Sequence, residues 1–141
     1  MTENVLTALT KISIRFSEVD ALRIVWHGNY VKYFEDGREA FGTKYGISYL
    51  NVMDSGYVTP VVKMSMEFKK PLKYGDKAIV ETRFVNTEAA KIVLDYTIYM
   101  ESNNEVVATG NSVQVFLDKK GILVLTNPDF FLLWKQKLGL I

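Results

Sequence analysis

Two side chains separated by one short loop carry the chemical interest of this chain: the carboxylate of Asp20, and His27, which stands where a helix begins. From Tyr30 onward the apolar residues recur at helical spacing through Tyr33, Phe34, Gly37, Phe41 and Tyr45. Asn29 suits the N-cap and Gly46 the stop, so a helix is predicted over 29–45, roughly 25 Å long. The first N–H groups of a helix have no intrahelical partner, and about half a positive charge gathers there, which favours developing negative charge. A carboxylate beside such an end pairs a base or nucleophile with an oxyanion hole, the parts of a hydrolytic site. A lone loop Asp is more often a turn or capping carboxylate, and the spacing alone leaves both readings open.

The elements that must position these groups read as follows. Strict alternation over 11–16, with Ile12, Ile14 and Phe16 on one face, predicts a strand ahead of the Asp20 loop. Residues 47–55 read as a short helical turn ended by Gly56. Four strands follow, over about 58–69, 77–85, 91–100 and 105–117, with turns at Tyr74-Gly75-Asp76, Ser102-Asn103-Asn104 and Asp118-Lys119-Lys120-Gly121. Pro60 lacks an N–H, which places its end of the strand at an edge or bulge. The face with Val106, Ala108, Gly110 and Ser112 is small enough for another element to approach closely, and Gly37 suggests the same of the helix. Asn127-Pro128 reads as the start of a C-terminal helix, Asn as cap and Pro in the first turn, docked by Phe130, Phe131, Trp134 and Leu138. The fold class is α+β: one long helix on a curved antiparallel sheet of about five strands, with a C-terminal helix, in a single domain over 1–141. Val93 and Tyr99 make the second face of the sheet half apolar, which predicts oligomerisation.

Composition narrows the function classes. The chain has 141 residues, 48% of them hydrophobic, with 17 Lys and Arg against 16 Asp and Glu. That balance disfavours nucleic-acid binding by bulk charge. Cysteine is absent and there is a single histidine, which excludes disulfides, thiol catalysis and a zinc site. The start, MTENVLTALTK, has no basic and apolar leader pattern, and the longest apolar runs are a few residues, so no transmembrane helix is expected and a cytoplasmic location is the default.

The residues themselves carry a more specific resemblance. Arg15-Phe16-Ser17-Glu18-Val19-Asp20, then Val25, His27, Asn29-Tyr30, Tyr33-Phe34-Glu35 and Arg38, followed by Phe68-Lys69-Lys70-Pro71 and Tyr74-Gly75-Asp76, resemble the hot-dog-fold acyl-CoA thioesterases of the 4-hydroxybenzoyl-CoA thioesterase type. The likeness covers nearly the whole chain. It departs at Val19, where Thr is frequent, at Arg23, where Gly is frequent, and at Trp26, where a first His is frequent.

The resemblance implies a reaction: an acyl- or aroyl-CoA thioester plus water gives free acid and CoA, with no cofactor and no metal. It implies that Asp20 attacks the carbonyl or activates the water, and that the backbone N–H of His27 is the oxyanion donor. An Asp in a partly apolar cleft should be the stronger base, because desolvation disfavours its charged form. Trp26 and Tyr30 would line the acyl pocket, with Asn29 and Arg23 beside it and Tyr57 to Thr59 entering from a neighbouring subunit. Aromatics at a helix start are otherwise core. Lys69, Lys70 and Lys91 would meet the phosphates of CoA, where surface lysines are otherwise only solvated. Glu35 and Arg38, three apart on one helical face, are expected to form an ion pair. The implied partners are an acyl-CoA or acyl-carrier thioester and further copies of the chain, as a homodimer or homotetramer. A non-catalytic acyl- or CoA-ligand binding protein on the same fold is the second class. A hydratase or dehydratase, which needs its His within the helix, is disfavoured.

Overall fold

The structure, a computed structural model, describes residues 5–141. Met1–Asn4, the first part of the stretch read for a leader, lies outside the described residues. In chain order the elements are β1 (Thr7–Ser13), α1 (Tyr30–Tyr45), α2 (Tyr49–Asp54), β2 (Val61–Phe68), β3 (Lys77–Val85), β4 (Lys91–Met100), β5 (Val106–Leu117), β6 (Leu123–Val124) and α3 (Asp129–Lys137). Two 3-10 turns, Phe16–Glu18 and His27–Asn29, precede α1.

Every pairing is antiparallel, in the spatial order β1-β3-β4-β5-β2, with β6 added to the end of β5. Sequence neighbours β2 and β3 therefore do not pair. The 69–76 segment carries the chain across the end of the sheet and leaves β2 as one edge and β1 as the other. The irregularity expected of Pro60 is there, as a register shift between Val61 and Lys63. Alternation in β3 and β4 puts Val80, Phe84, Ile92, Leu94, Tyr96 and Ile98 inward, and all are buried. Each such aliphatic or aromatic side chain contributes about 1.5–3 kcal/mol on burial.

The helix turns Tyr30, Tyr33, Phe34, Gly37, Phe41 and Gly42 to this face and lies over β1 and β3. A Cβ on Gly37 would meet Thr82 Oγ1 at 2.5 Å and Val80 Cγ1 at 2.8 Å, so the helix rests on β3 at a distance only glycine permits. Gly46 ends α1 in the left-handed region, φ 72°. Tyr45 anchors that end: its hydroxyl donates to Thr7 O at 2.8 Å, and its own carbonyl accepts the Trp134 indole N–H at 2.7 Å, which docks α3. None of the described helices is long and apolar enough to cross a membrane.

Four local expectations change. Phe16 is not in a strand: β1 ends at Ser13, and Phe16 opens a 3-10 turn with its ring 75% exposed. Asn29 does not cap α1 with its side chain, because the chain has already turned helical at His27 and Asn29 itself is αR. Pro128, not Asn127, is the N-cap of α3; its carbonyl accepts from Phe131 and Leu132, and the Asn127 amide donates to Glu88 O at 2.9 Å instead. The sheet has six strands, because β6 folds back on β5 after the turn at Gly121.

Candidate active site

Asp20 sits at the tip of a tight hairpin. Val19 and Val25 form an antiparallel bridge, Asp20 N donates to Ile24 O at 2.9 Å, and Arg23 N donates to Asp20 O at 2.9 Å. The carboxylate closes the turn, with Oδ1 accepting the Leu22 N–H at 2.8 Å. Its Oδ2 makes no hydrogen bond to the described residues. The side chain is half-buried. Arg23 completes the turn at φ 65°, the conformation for which glycine is cheapest.

The start of α1 is built by Trp26, His27, Gly28 and Asn29. Trp26 is extended, and the turn then closes with Asn29 N donating to Trp26 O at 2.9 Å. The N–H groups of His27 and Gly28 come first in this turn and make no bond to the described residues, which leaves them to a ligand oxygen. The Trp26 ring lies along Gly28 so closely that a Cβ there would be 2.2 Å from Trp26 Cζ3. The exposed His27 ring packs against Trp26 at 5.1 Å and against Phe68 at 6.5 Å, centroid to centroid.

One backbone carbonyl ties hairpin to helix. Glu18 O accepts both the Trp26 N–H at 3.0 Å and the Asn29 side-chain amide at 2.9 Å. Asn29 is 9% exposed and holds this bond in the interior. Sequence reasoning did not find Glu18 in this role, because a backbone acceptor leaves no mark on residue type. Behind the brace, burial and then the negative charge of Glu18 push the Tyr33 phenol up from its ordinary value, so it stays neutral and is no base.

The remaining candidates separate. Tyr30 is core, 3% exposed, edge-on to Phe68 and Tyr33. Trp26 is half-exposed beside the turn. Lys69 pairs with Glu67 at 3.0 Å and Lys70 with Glu105 at 2.6 Å. Lys91 opens β4 opposite Val115, at the other end of β5 from Val107, which receives the Lys69 N–H. That separation is roughly 25 Å at 3.3 Å per residue.

Glu35 and Arg38 do not form the expected ion pair. Glu35 stays in solvent, whereas Arg38 turns inward and buries Nη1 without a partner. Both line a cavity of about 490 Å³ walled by Phe41, Ile47, Ile92 and Leu94, with Thr59 and Gln114 also at its wall. This cavity belongs to the second half of α1. Asp20 is not among its lining residues.

Residues 14–134 match the model of the thioesterase-like superfamily. The chain belongs to that family. It is a thioester hydrolase on the hot-dog fold. Among curated relatives it is 34% identical over 110 residues to a putative acyl-CoA thioesterase, YneP, of Bacillus subtilis, covering 78% of this chain and 79% of the relative. It is 32% identical to a chloroplastic acyl-acyl carrier protein thioesterase of Arabidopsis thaliana, covering 78% of this chain and 58% of that protein. Among solved structures, a DHNA-CoA thioesterase from Staphylococcus aureus superposes with a TM-score of 0.82 at 25% identity, covering 95% of this chain and 92% of the other. This thioesterase carries the Asp20 carboxylate and the free His27 and Gly28 amides on one short, internally braced segment.

Proposed function

We propose that the protein hydrolyses an acyl- or aroyl-CoA thioester to the free acid and CoA, in the cytoplasm, with no cofactor beyond water. The observation that supports this reading is the brace at Glu18 O, which joins the turn carrying Asp20 to the turn carrying the free His27 and Gly28 amides. In the reaction, a water oxygen attacks the thioester carbon while Asp20 Oδ2 takes its proton. The carbonyl oxygen becomes an oxyanion held by the two amides, each donor contributing about 3 kcal/mol to the transition state. Collapse expels the CoA thiolate, which takes the proton from Asp20. In the alternative route Asp20 itself attacks and expels the CoA thiolate, and water then adds to Asp20 Cγ of the mixed anhydride, breaking its bond to the acyl oxygen and releasing the acid. A single turnover in labelled water separates the two, since only the second puts label into the Asp20 carboxylate.

The reading extends to a site shared by two copies. β2 is an edge strand, its side chains Val62 and Phe68 are exposed, and α1 covers β1 and β3 rather than β2. Pairing β2 with β2 of a second copy sets the two helices side by side and antiparallel. The hairpin of one copy then lies near the Arg38 cavity of the other, which receives the acyl group.

The test is a panel of acyl- and aroyl-CoAs with thiol release followed by a chromogenic reagent. Asp20→Asn keeps the Oδ1 that closes the turn and should lower kcat by about 10²–10⁴ with little change in Tm. Release that survives this substitution sinks the role of Asp20. For the shared site, Asp20→Asn and Arg38→Glu proteins are mixed after dissociation. Activity returning to about a quarter of wild type supports a site made by two chains, because one of the two sites in each mixed pair is then intact. No return sinks it.

A further inference from the structure

Beside the Asp20 hairpin lies a surface that the mechanism does not use. Three segments meet there. Ile24 and Lys73 form an antiparallel bridge, Val25 N donates to Leu72 O at 2.8 Å, and Gly75 N donates to Ile14 O at 3.2 Å. Together they bring Arg23, Lys73, Tyr74 and Phe16 to one patch. Phe16 and Tyr74 meet edge to face at 5.7 Å, yet both rings are largely exposed, 75% and 64%. A ring pair inside a core needs no further explanation, but one left in water presents a planar face with nothing on it.

The charges around the rings are sorted. Glu18, Asp20 and Asp76 each spend an oxygen on a backbone N–H, of Arg15, Leu22 and Lys73, all at 2.8 Å. The carboxylates are thereby drawn into the loops. Arg15 makes no ion pair with any described residue; it attracts Asp36 of α1 only weakly and is left out. Arg23 and Lys73 make no ion pair with any described residue. Arg23 also holds φ 65°, where glycine would be less strained, so a long cation stands at a position that backbone energetics does not favour. Lys69 and Lys70, by contrast, are already neutralised by Glu67 and Glu105.

Unpaired cations beside an exposed aromatic face are what a nucleoside phosphate needs: charge-assisted bonds to its oxygens and a surface for its base. Resting on the thioesterase reading above, we infer that Arg23, Lys73 and the Phe16–Tyr74 ring pair seat the phosphorylated adenosine end of CoA, so that the substrate is a CoA thioester. An acidic carrier-protein surface would meet the cations but has no planar base for the rings.

The experiment compares wild type with Arg23→Gly/Lys73→Ala and with Phe16→Ser. Each is assayed on the best acyl-CoA of the panel, on the same acyl group carried by pantetheine, which lacks the nucleotide, and on that acyl group carried by an acyl carrier protein. Adenosine 3′,5′-bisphosphate is titrated calorimetrically into each protein. The expected result is a KM for acyl-CoA that rises about tenfold relative to the KM for acyl-pantetheine in each variant, with weakened bisphosphate binding. Equal changes on acyl-CoA and acyl-pantetheine, or none, overturn the seat. So does a loss confined to a carrier-protein thioester, which would make the patch a docking surface for that protein. Bisphosphate binding is read without turnover. A protein that binds it but hydrolyses nothing keeps the seat and loses the hydrolase, and the reverse loses only the seat.

Discussion

The side-chain amide of Asn29 donates to the backbone carbonyl of Glu18 at 2.9 Å, across a loop whose tip is Asp20. The same carbonyl accepts the Trp26 N–H, so one oxygen ties the Asp20 hairpin to the turn with the free His27 and Gly28 amides. Asn29→Ala removes one of these two bonds and leaves the other. The expected stability loss is about 1 kcal/mol, the net worth of one such hydrogen bond. The kinetic effect should be larger: kcat falls more than KM rises, because the group lost positions the reacting atoms without contributing to substrate affinity. Steady-state kinetics beside a denaturation curve checks this. A rise in KM at constant kcat would place Asn29 against substrate instead.

Gly28 and Trp26 form a second coupled pair. A methyl group at residue 28 overlaps the indole ring at 2.2 Å, so Gly28→Ala must swing Trp26 off the turn. Since that ring is 51% exposed, it has room to move and the fold survives. Activity should fall, with a change in the emission of Trp26 against the constant background of buried Trp134. Adding Trp26→Ala removes the overlap. The double variant should therefore be less impaired than the two single effects combined predict, a coupling that a double-mutant cycle measures.

Arg23 also offers a prediction about stability. Its φ of 65° is strained for any residue with a Cβ. Arg23→Gly relieves that strain and should raise stability by about 1 kcal/mol less the added chain entropy of glycine, seen as a Tm increase of roughly 2–4 °C. A fall in Tm would show that the Arg23 side chain holds the hairpin by contacts.

Lys135 gives a pH dependence. Its Nζ is buried in α3, donates to Thr87 O at 2.6 Å and lies 4.8 Å from the centre of the Phe131 ring. Burial lowers its pKa from the ordinary 10.5. Between the lowered folded value and 10.5, the unfolded chain binds more protons than the folded one, so stability rises with pH through that window. Below the folded value the full cost of burying the charge applies. Lys135→Met lacks this titration. Wild type should therefore gain on the variant as pH rises toward 10.5, and parallel stability curves would refute the assignment.

Much of this molecule was legible as a string. The limits of β3 and β4 follow from alternation alone, and the helix from its 3.6-residue spacing and Gly46, because each depends on residues adjacent in the chain. That Asp20 stands in the loop just before α1 is equally local, since it is a matter of chain order. The family likeness spans 14–134, a range that includes that stretch and the segment from Phe68 to Asp76.

Other features belong to the folded molecule only. Phe16 continues an alternating pattern, yet it leaves the sheet because Arg15 O accepts from Glu18 N and Phe16 O from Val19 N, which closes a 3-10 turn there. Lys69 and Lys70 resemble any exposed lysines until β2 joins β5 and brings Glu105 to Lys70. Glu35 and Arg38 have ideal helical spacing for an ion pair, but the sheet beneath α1 offers Arg38 a cavity instead. The sequence by itself determined which segments are helix or strand and which carboxylate stands before the helix, because periodicity and turn chemistry act over a few residues. Only the tertiary structure decided which carbonyl Asn29 grasps, which lysines find an acidic partner, and where the cavity beside Arg38 opens, because hydrogen bonds and ion pairs form between whichever groups the packing of distant strands brings within reach.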